Sequence, residues 1–241
     1  MGLKKYIPDT ITSANLLSGT AGVIFTLSGN VGAAFACMLA AAVFDFCDGL
    51  SARLLNAYSD LGKELDSLSD VVSFGLLPSL MLRQTMVQGG APWYLSAIPL
   101  VVVVFSAARL AKFNIDTKQT TDFTGLATPS SAMICGSLSA LCAKGGCPWD
   151  AIASSLWIIP LLSVILSALL VSRVPMFGMK IKKGHKLLDS KRIAFLILSG
   201  LCIAATAVLR QGWPLAVLMV FLVYVTENLV LHFFGRTKHS S

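Results

Sequence analysis

Four aspartates, Asp45, Asp48, Asp66 and Asp70, fall within a 26-residue stretch of a chain that has only 12 acidic residues in 241. At about 100° per residue on a helix, Asp45 and Asp48 share a face roughly 140° wide with Gly49, Ala52 and Arg53. Gly62, Asp66 and Asp70 likewise stack at intervals of four. Two helices joined by a short loop would therefore present two carboxylates each to a common cleft, a concentration of negative charge that calls for cations. All-oxygen ligands suit hard ions, so Mg2+ or Mn2+ is expected, with Ca2+ also compatible as a bound ion. Gly49, Ala52 and Gly62 leave room for a bulky ligand near the backbone, and Arg53 carries a fork suited to phosphate oxygens. Taken singly, these residues have plainer readings: Gly49 and Ala52 as helix-packing residues, Arg53 as a side chain reaching for the interface. Four carboxylates converging at one place do not.

The segments that must hold these residues are apolar. The chain is 55% hydrophobic and 13% charged, with a mean hydropathy of +0.75, whereas about 25% of the residues of a soluble domain are charged. The expected fold class is all-α, a polytopic helical membrane protein. Stretches near the ~20 residues needed to cross a bilayer run over 11–28, 31–54, 65–86, 92–112, 126–144, 151–172, 192–210 and 213–234. An ionised carboxylate inside such a span is costly unless it is paired, solvated or bound to metal, which makes the aspartates functional candidates. Asp45 lies about 14 residues into its span, roughly 21 Å along a helix, below the membrane surface yet reachable from it.

The net charge of +7 does not point to nucleic acid, because the basic residues punctuate the spans instead of clustering on a soluble module. With a cytoplasmic N-terminus, Lys4, Lys5, Arg53, Lys63, Arg109, Lys112, Lys118, the run from Lys180 to Arg192, Arg236 and Lys238 fall inside, and Arg83, Lys144 and Arg210 outside. This positive-inside bias predicts an integral protein of the cell membrane with both termini and the aspartate cleft cytoplasmic. No cleaved leader is expected. The run from Lys180 reads as an inside loop attracting anionic head groups. Six cysteines without CxxC spacing read as small apolar packing residues, and the three scattered histidines make no metal site.

The pattern Asp45-x-x-Asp48-Gly49-x-x-Ala52-Arg53, eight residues, then Gly62-x-x-x-Asp66-x-x-x-Asp70 resembles the signature of the CDP-alcohol phosphotransferase family at every position. The resemblance implies that Asp45, Asp48, Asp66 and Asp70 bind two divalent ions, that Asp70 also deprotonates an acceptor alcohol, and that Gly49, Ala52, Arg53 and Gly62 contact the CDP moiety. It further implies a six-helix core and a homodimer. Asn15, at the end of a polar entry into the first span, is expected to line the same cleft as one of the CDP-binding residues. The residues suit this chemistry on their own terms: cations neutralise a diphosphate, and a nearby carboxylate accepts the proton of the attacking alcohol.

For the acceptor, three further stretches resemble the phosphatidylserine synthase branch of that family. They are Ala108–Asn114, Gly125–Ala132 and Val171–Pro175. The first departs from the branch by Leu110-Ala111-Lys112 before Phe113, the second by Ala127-Thr128. This resemblance implies CDP-diacylglycerol and L-serine as substrates in a lipid membrane, with Arg109 as a carboxylate partner and Asn114, Thr128 and Ser130 as hydrogen-bonding groups for the amino acid. The same chemistry with glycerol 3-phosphate or an inositol phosphate as acceptor remains open, as does, from another class, a membrane cation transporter. A transporter predicts acids spread through the membrane depth, whereas these gather in one half. The expected organisation is a six-span core over residues 1–180 followed, over 181–241, by a basic loop and two more spans.

Overall fold

The computed structural model describes residues 6–115, 123–176, 190–208 and 212–237. Its order is α1 (Tyr6–Leu27), α2 (Val31–Leu54), α3 (Asp60–Asp70), a π-helical turn (Val71–Leu76), α4 (Leu77–Gln88), α5 (Trp93–Ser96), a 3-10 turn (Ile98–Leu100) and α6 (Val101–Ile115). Then come β1 (Phe123–Thr124), α7 (Thr128–Lys144), α8 (Trp149–Ser154), α9 (Ile158–Val171), β2 (Pro175–Met176), α10 (Ser190–Val208) and α11 (Trp213–Thr237). The eight expected stretches thus appear as eight rods, three of them broken: α3–α4, α5–α6 and α8–α9. Among the described residues the fold is all-α apart from a two-residue antiparallel ribbon pairing Phe123 with Met176 and Thr124 with Pro175.

Five of the rods, over Tyr6–Leu27, Val31–Leu54, Asp60–Gln88, Trp93–Ile115 and Trp213–Val230, are long and apolar enough to cross a membrane. The boundaries move where capping chemistry outweighs hydropathy. The first rod is already helical at Tyr6, before the expected 11. The third starts at Asp60, before the expected 65, because the Ser59 hydroxyl accepts from the Gly62 amide at 2.9 Å and caps it.

α1 and α2 form an antiparallel hairpin. Its turn is set by Gly29 at φ +80 and by Asn30, whose side chain accepts from the Ala33 amide at 3.1 Å. Gly19 lies where a Cβ would strike Ser73, and Gly22 where it would strike Leu77, so the π turn and α4 pack directly on α1.

α7 is the centre of the bundle. Ser130 to Cys142 are buried without a break, and the helix touches α2, α4, α6, α9 and α11. A helix enclosed by protein needs no lipid-facing apolar surface, which accounts for Ser130, Ser131, Ser137 and Ser139 along it. Small residues there allow close helix approach, and at Gly136 a Cβ would collide with Met38. α11 joins the same core through Leu218 and Val225, which cluster with Leu126, Ile134 and Leu141. Trp213 stacks on Phe35 at 5.0 Å. The last rod is therefore packed on the first six and is no separate layer.

Trp93, Trp149 and Trp213 open the α5–α6, α8–α9 and α11 rods, the ends away from the aspartates in chain order, and Trp157 lies at the break between α8 and α9; tryptophan at rod ends is what a membrane interface favours. The six cysteines are free thiols. Lys4, Lys5, Lys118 and the side chains of the run from Lys180 to Arg192 lie outside the described residues.

Candidate active site

α2 and α3 bring their acids together as the helical spacing requires, though not as two matched pairs. Asp45, Asp48 and Asp66 place one carboxylate oxygen each within 4.8 Å of one another, and the Asp45 and Asp66 carboxyls are in hydrogen-bonding contact. Asp70 lies one turn further along α3, outside this trio, 8% exposed. Like charges this close repel strongly in a partly buried setting, and one oxygen of Asp66 is buried without a partner among the described residues. An all-carboxylate trio with an oxygen to spare fits a hard divalent cation.

α1 supplies a second layer that the spacing of the acids did not disclose. Thr12 donates to Asp48 at 2.6 Å. One turn on, the Asn15 amide donates to Asp70 at 3.5 Å. The backbone of α1 is held in register by Ser69, which donates to the Thr12 carbonyl at 3.4 Å, and by Ser73, which donates to the Asn15 carbonyl at 3.2 Å. One face of α1 thus braces carboxylates from both α2 and α3. The visible signal was a polar Thr12-x-x-Asn15 step, at i and i+3, entering an otherwise apolar span.

Above the trio a cleft of about 230 Å³ opens between α1, α2 and α3, lined by Asp48, Gly49, Ala52, Arg53, Gly62 and Asp66. The same cleft takes in Asp9, Thr12, Tyr58 and Lys63, which sequence reasoning missed. Gly49 has nothing within 4 Å of where a Cβ would stand, whereas at Gly62 a Cβ would lie 2.7 Å from Asp9 Oδ1 and 2.9 Å from Ser59 Oγ. Gly49 therefore leaves open space, and Gly62 permits close packing of α3 on α1. Asn15 does not line this cleft; it is fully buried beneath it.

Arg109, from α6, donates to the Thr128 hydroxyl at 3.0 Å and lies within electrostatic reach of Asp70. Its Nε is buried with no partner among the described residues. Ser130 is buried in the first turn of α7. Asn114 stands apart from Arg109 and Thr128: it donates to Ser67 at 2.9 Å and to Glu64 at 3.5 Å, and its carbonyl accepts from Lys63 at 3.1 Å. It ties the end of α6 to the outer side of α3.

Residues 5–171 match the family model described as CDP-alcohol phosphatidyltransferase, and the chain belongs to that family. Among its relatives, the Mycobacterium leprae protein named CDP-diacylglycerol–serine O-phosphatidyltransferase is 31% identical over 91% of this chain and 72% of its own length. A Bacillus subtilis protein of the same name is 36% identical over 53% of this chain and 72% of its own. One from Methanocaldococcus jannaschii, again of that name, is 27% identical over 95% of each. That last match takes in most of α10 and α11 as well as the six rods before them.

Proposed function

We propose that this protein transfers the phosphatidyl group of CDP-diacylglycerol to the hydroxyl of L-serine, giving phosphatidylserine and CMP. The observation that carries this reading is the carboxylate trio at the floor of a cleft lined by the family's small residues, with Asp70 buried one turn away and the half-buried Arg109 within electrostatic reach of Asp70. The names of the three relatives support serine as the acceptor. A glycerol phosphate or inositol phosphate would call for several cations held near Asp70, and among the described residues the half-buried Arg109 is the cation shown within its electrostatic reach.

Each residue then has a task. Asp45, Asp48 and Asp66, with Asp70 beside them, would hold two divalent ions, Mg2+ or Mn2+, which when bound supply neutralising charge for the diphosphate. Gly49 and Ala52 leave space for the nucleotide, Gly62 lets α1 and α3 close on it, and Arg53 offers its fork to phosphate oxygens. The serine hydroxyl oxygen attacks the phosphorus that carries the lipid, and the bond from that phosphorus to the CMP oxygen breaks. Asp70 takes the hydroxyl proton. Arg109, steadied by Thr128, faces the serine carboxylate, with Ser130 in the same helical turn. Asn114 is assigned instead to bracing α3. No covalent enzyme intermediate is needed. The distribution of Lys and Arg, with Trp93, Trp149 and Trp213 at the opposite rod ends, supports a cytoplasmic cleft that water-borne serine and a lipid-borne nucleotide both reach. Residues 1–180 form the catalytic core in this reading.

The test is CMP release by purified protein given CDP-diacylglycerol, Mn2+ or Mg2+, and a panel of acceptor alcohols. Serine-dependent release with phosphatidylserine as product is expected; release only with a phosphorylated acceptor would defeat the serine assignment.

Two smaller effects follow from α1. Thr12→Val removes the hydrogen bond that orients Asp48 and is expected to weaken Mn2+ binding about tenfold or more by calorimetry, while Thr12→Ser restores it; equal affinities in all three would remove Thr12 from the site. Gly62→Val forces bulk against Asp9 and Ser59 and is expected to raise the KM for CDP-diacylglycerol about tenfold. An unchanged KM would show that α1 and α3 need not approach so closely.

A further inference from the structure

Beneath the cleft, two buried polar atoms of opposite hydrogen-bonding sense have no partner among the described residues: the side-chain oxygen of Asn15 and Nε of Arg109. They are two of nine such side-chain atoms among the described residues, and a buried polar atom of this kind is satisfied by water, an ion or a ligand; these two belong to residues within reach of Asp70. The amide orientation of Asn15 follows from its neighbour. The Asp70 carboxylate accepts, so the amide nitrogen must face it, 3.5 Å away, and the oxygen is left to serve something else. Asn15 cannot adjust by sliding, because its own backbone carbonyl is held by Ser73 at 3.2 Å and its side chain is fully buried. Nor does it line the nucleotide cleft.

We propose that Asn15 belongs to the acceptor site, where its side-chain oxygen accepts a hydrogen bond from the ammonium group of the amino-acid acceptor. This rests on the serine reading above and adds a specificity residue to it. Serine carries three polar groups, and three protein groups of matching sense are linked through Asp70, which Asn15 meets at 3.5 Å and which lies within electrostatic reach of Arg109: Arg109 to donate to the carboxylate, Asp70 to accept from the hydroxyl, and Asn15 to accept from the ammonium. The neutrality of an amide matters here. A carboxylate at position 15 would add a further negative charge against Asp70 and compete for the divalent ions, whereas an amide oxygen receives an ammonium and leaves the metal charge balance alone. α1 would then have two tasks one turn apart, with Thr12 orienting a metal ligand and Asn15 reading the acceptor.

The experiment is steady-state CMP release by wild type, Asn15→Ala and Asn15→Ser, varying serine and CDP-diacylglycerol separately, with CDP binding to each variant followed by calorimetry as a check on folding. Losing a hydrogen bond to a charged group is expected to raise the serine KM of Asn15→Ala about 10- to 100-fold, with the KM for CDP-diacylglycerol and the affinity for CDP within about twofold of wild type. Asn15→Ser, which keeps an oxygen acceptor, is expected to fall between the two. If Asn15→Ala loses CDP binding through misfolding, the serine KM of Asn15→Ser against wild type decides. An unchanged serine KM with the loss confined to kcat would reduce Asn15 to a brace for Asp70, and a rise in the CDP-diacylglycerol KM alone would return it to the nucleotide; either result overturns the proposal. Absence of serine-dependent CMP release by the wild type would instead overturn the acceptor reading on which it stands.

Discussion

Asp70→Asn is expected to abolish turnover, by about 10²- to 10⁴-fold in kcat, while CDP-diacylglycerol still binds. The expectation rests on the position of Asp70 outside the trio of Asp45, Asp48 and Asp66. Replacing it leaves three carboxylates in place, so the nucleotide end of the site keeps its cations. What is lost is the group that takes the hydroxyl proton, and with it the negative charge facing Arg109. The amide is nearly the same size, so packing around this buried position changes little. CMP release gives kcat, and calorimetric titration with CDP in the presence of Mn2+ gives binding. Retained turnover would remove Asp70 as the base, whereas loss of both turnover and binding would make it a metal ligand first.

Asp66→Asn should have the other large effect, and in two directions at once. Its carboxylate is one of three whose oxygens lie within 4.8 Å of one another, and one of its oxygens is buried and unpaired among the described residues. Removing that charge is expected to weaken Mn2+ binding by more than about 100-fold and to reduce CMP release to background. Without metal, the same change relieves repulsion: two unit charges within 4.8 Å of one another interact by about 3 kcal/mol or more at an effective dielectric near 20, a figure that a proton shared between them reduces. The metal-free variant should therefore melt above the metal-free wild type, and the order should reverse when Mn2+ is added. Active-site acids held together against their own repulsion commonly exchange stability for function in this way. A variant less stable than wild type in the absence of metal would show that the trio is not strained.

The signature acids and small residues were legible because everything that defines them is local. Spacings of three and four fix the faces of α2 and α3, and Ser59 fixes where α3 begins, so Asp48, Gly49, Ala52, Arg53, Gly62 and Asp66 all reach one cleft. The membrane character was legible for the same reason, since a long apolar run is a property of the chain alone. The contribution of α1 was not. That Thr12 meets Asp48 and Asn15 meets Asp70 depends on how one helix lies across two others, and a single sequence carries no measure of that packing. Asn15 was noticed as a polar residue in an apolar span but assigned to the nucleotide, because nothing in the spacing says how deep its side chain goes. Asn114 was grouped with Arg109 because both fall in one stretch that carries the family resemblance, yet at five residues' separation a helix turns through about 500°, and the two face different neighbours. The serines of α7 were the opposite case: hydropathy found the span but could not say that protein surrounds it on all sides.

The π-helical turn at Val71–Leu76 makes chain length itself a part of the site. A π turn is in effect one residue inserted into an α-helix, and here it lies directly between Asp70 and α4, with the Leu77 amide reaching back to the Val72 carbonyl. Deleting one residue there would heal the rod into regular helix with the same composition and the same apolar ends. It would also turn Asp66 and Asp70 by about 100° relative to α4 and shift them by about 1.5 Å, away from Asp45, Asp48 and Asn15. Such a deletion should insert and remain helical yet bind no Mn2+, a combination that circular dichroism and calorimetry would reveal. Point substitution is therefore the lesser hazard at this turn: a change of length by one residue silences the site with every aspartate still present.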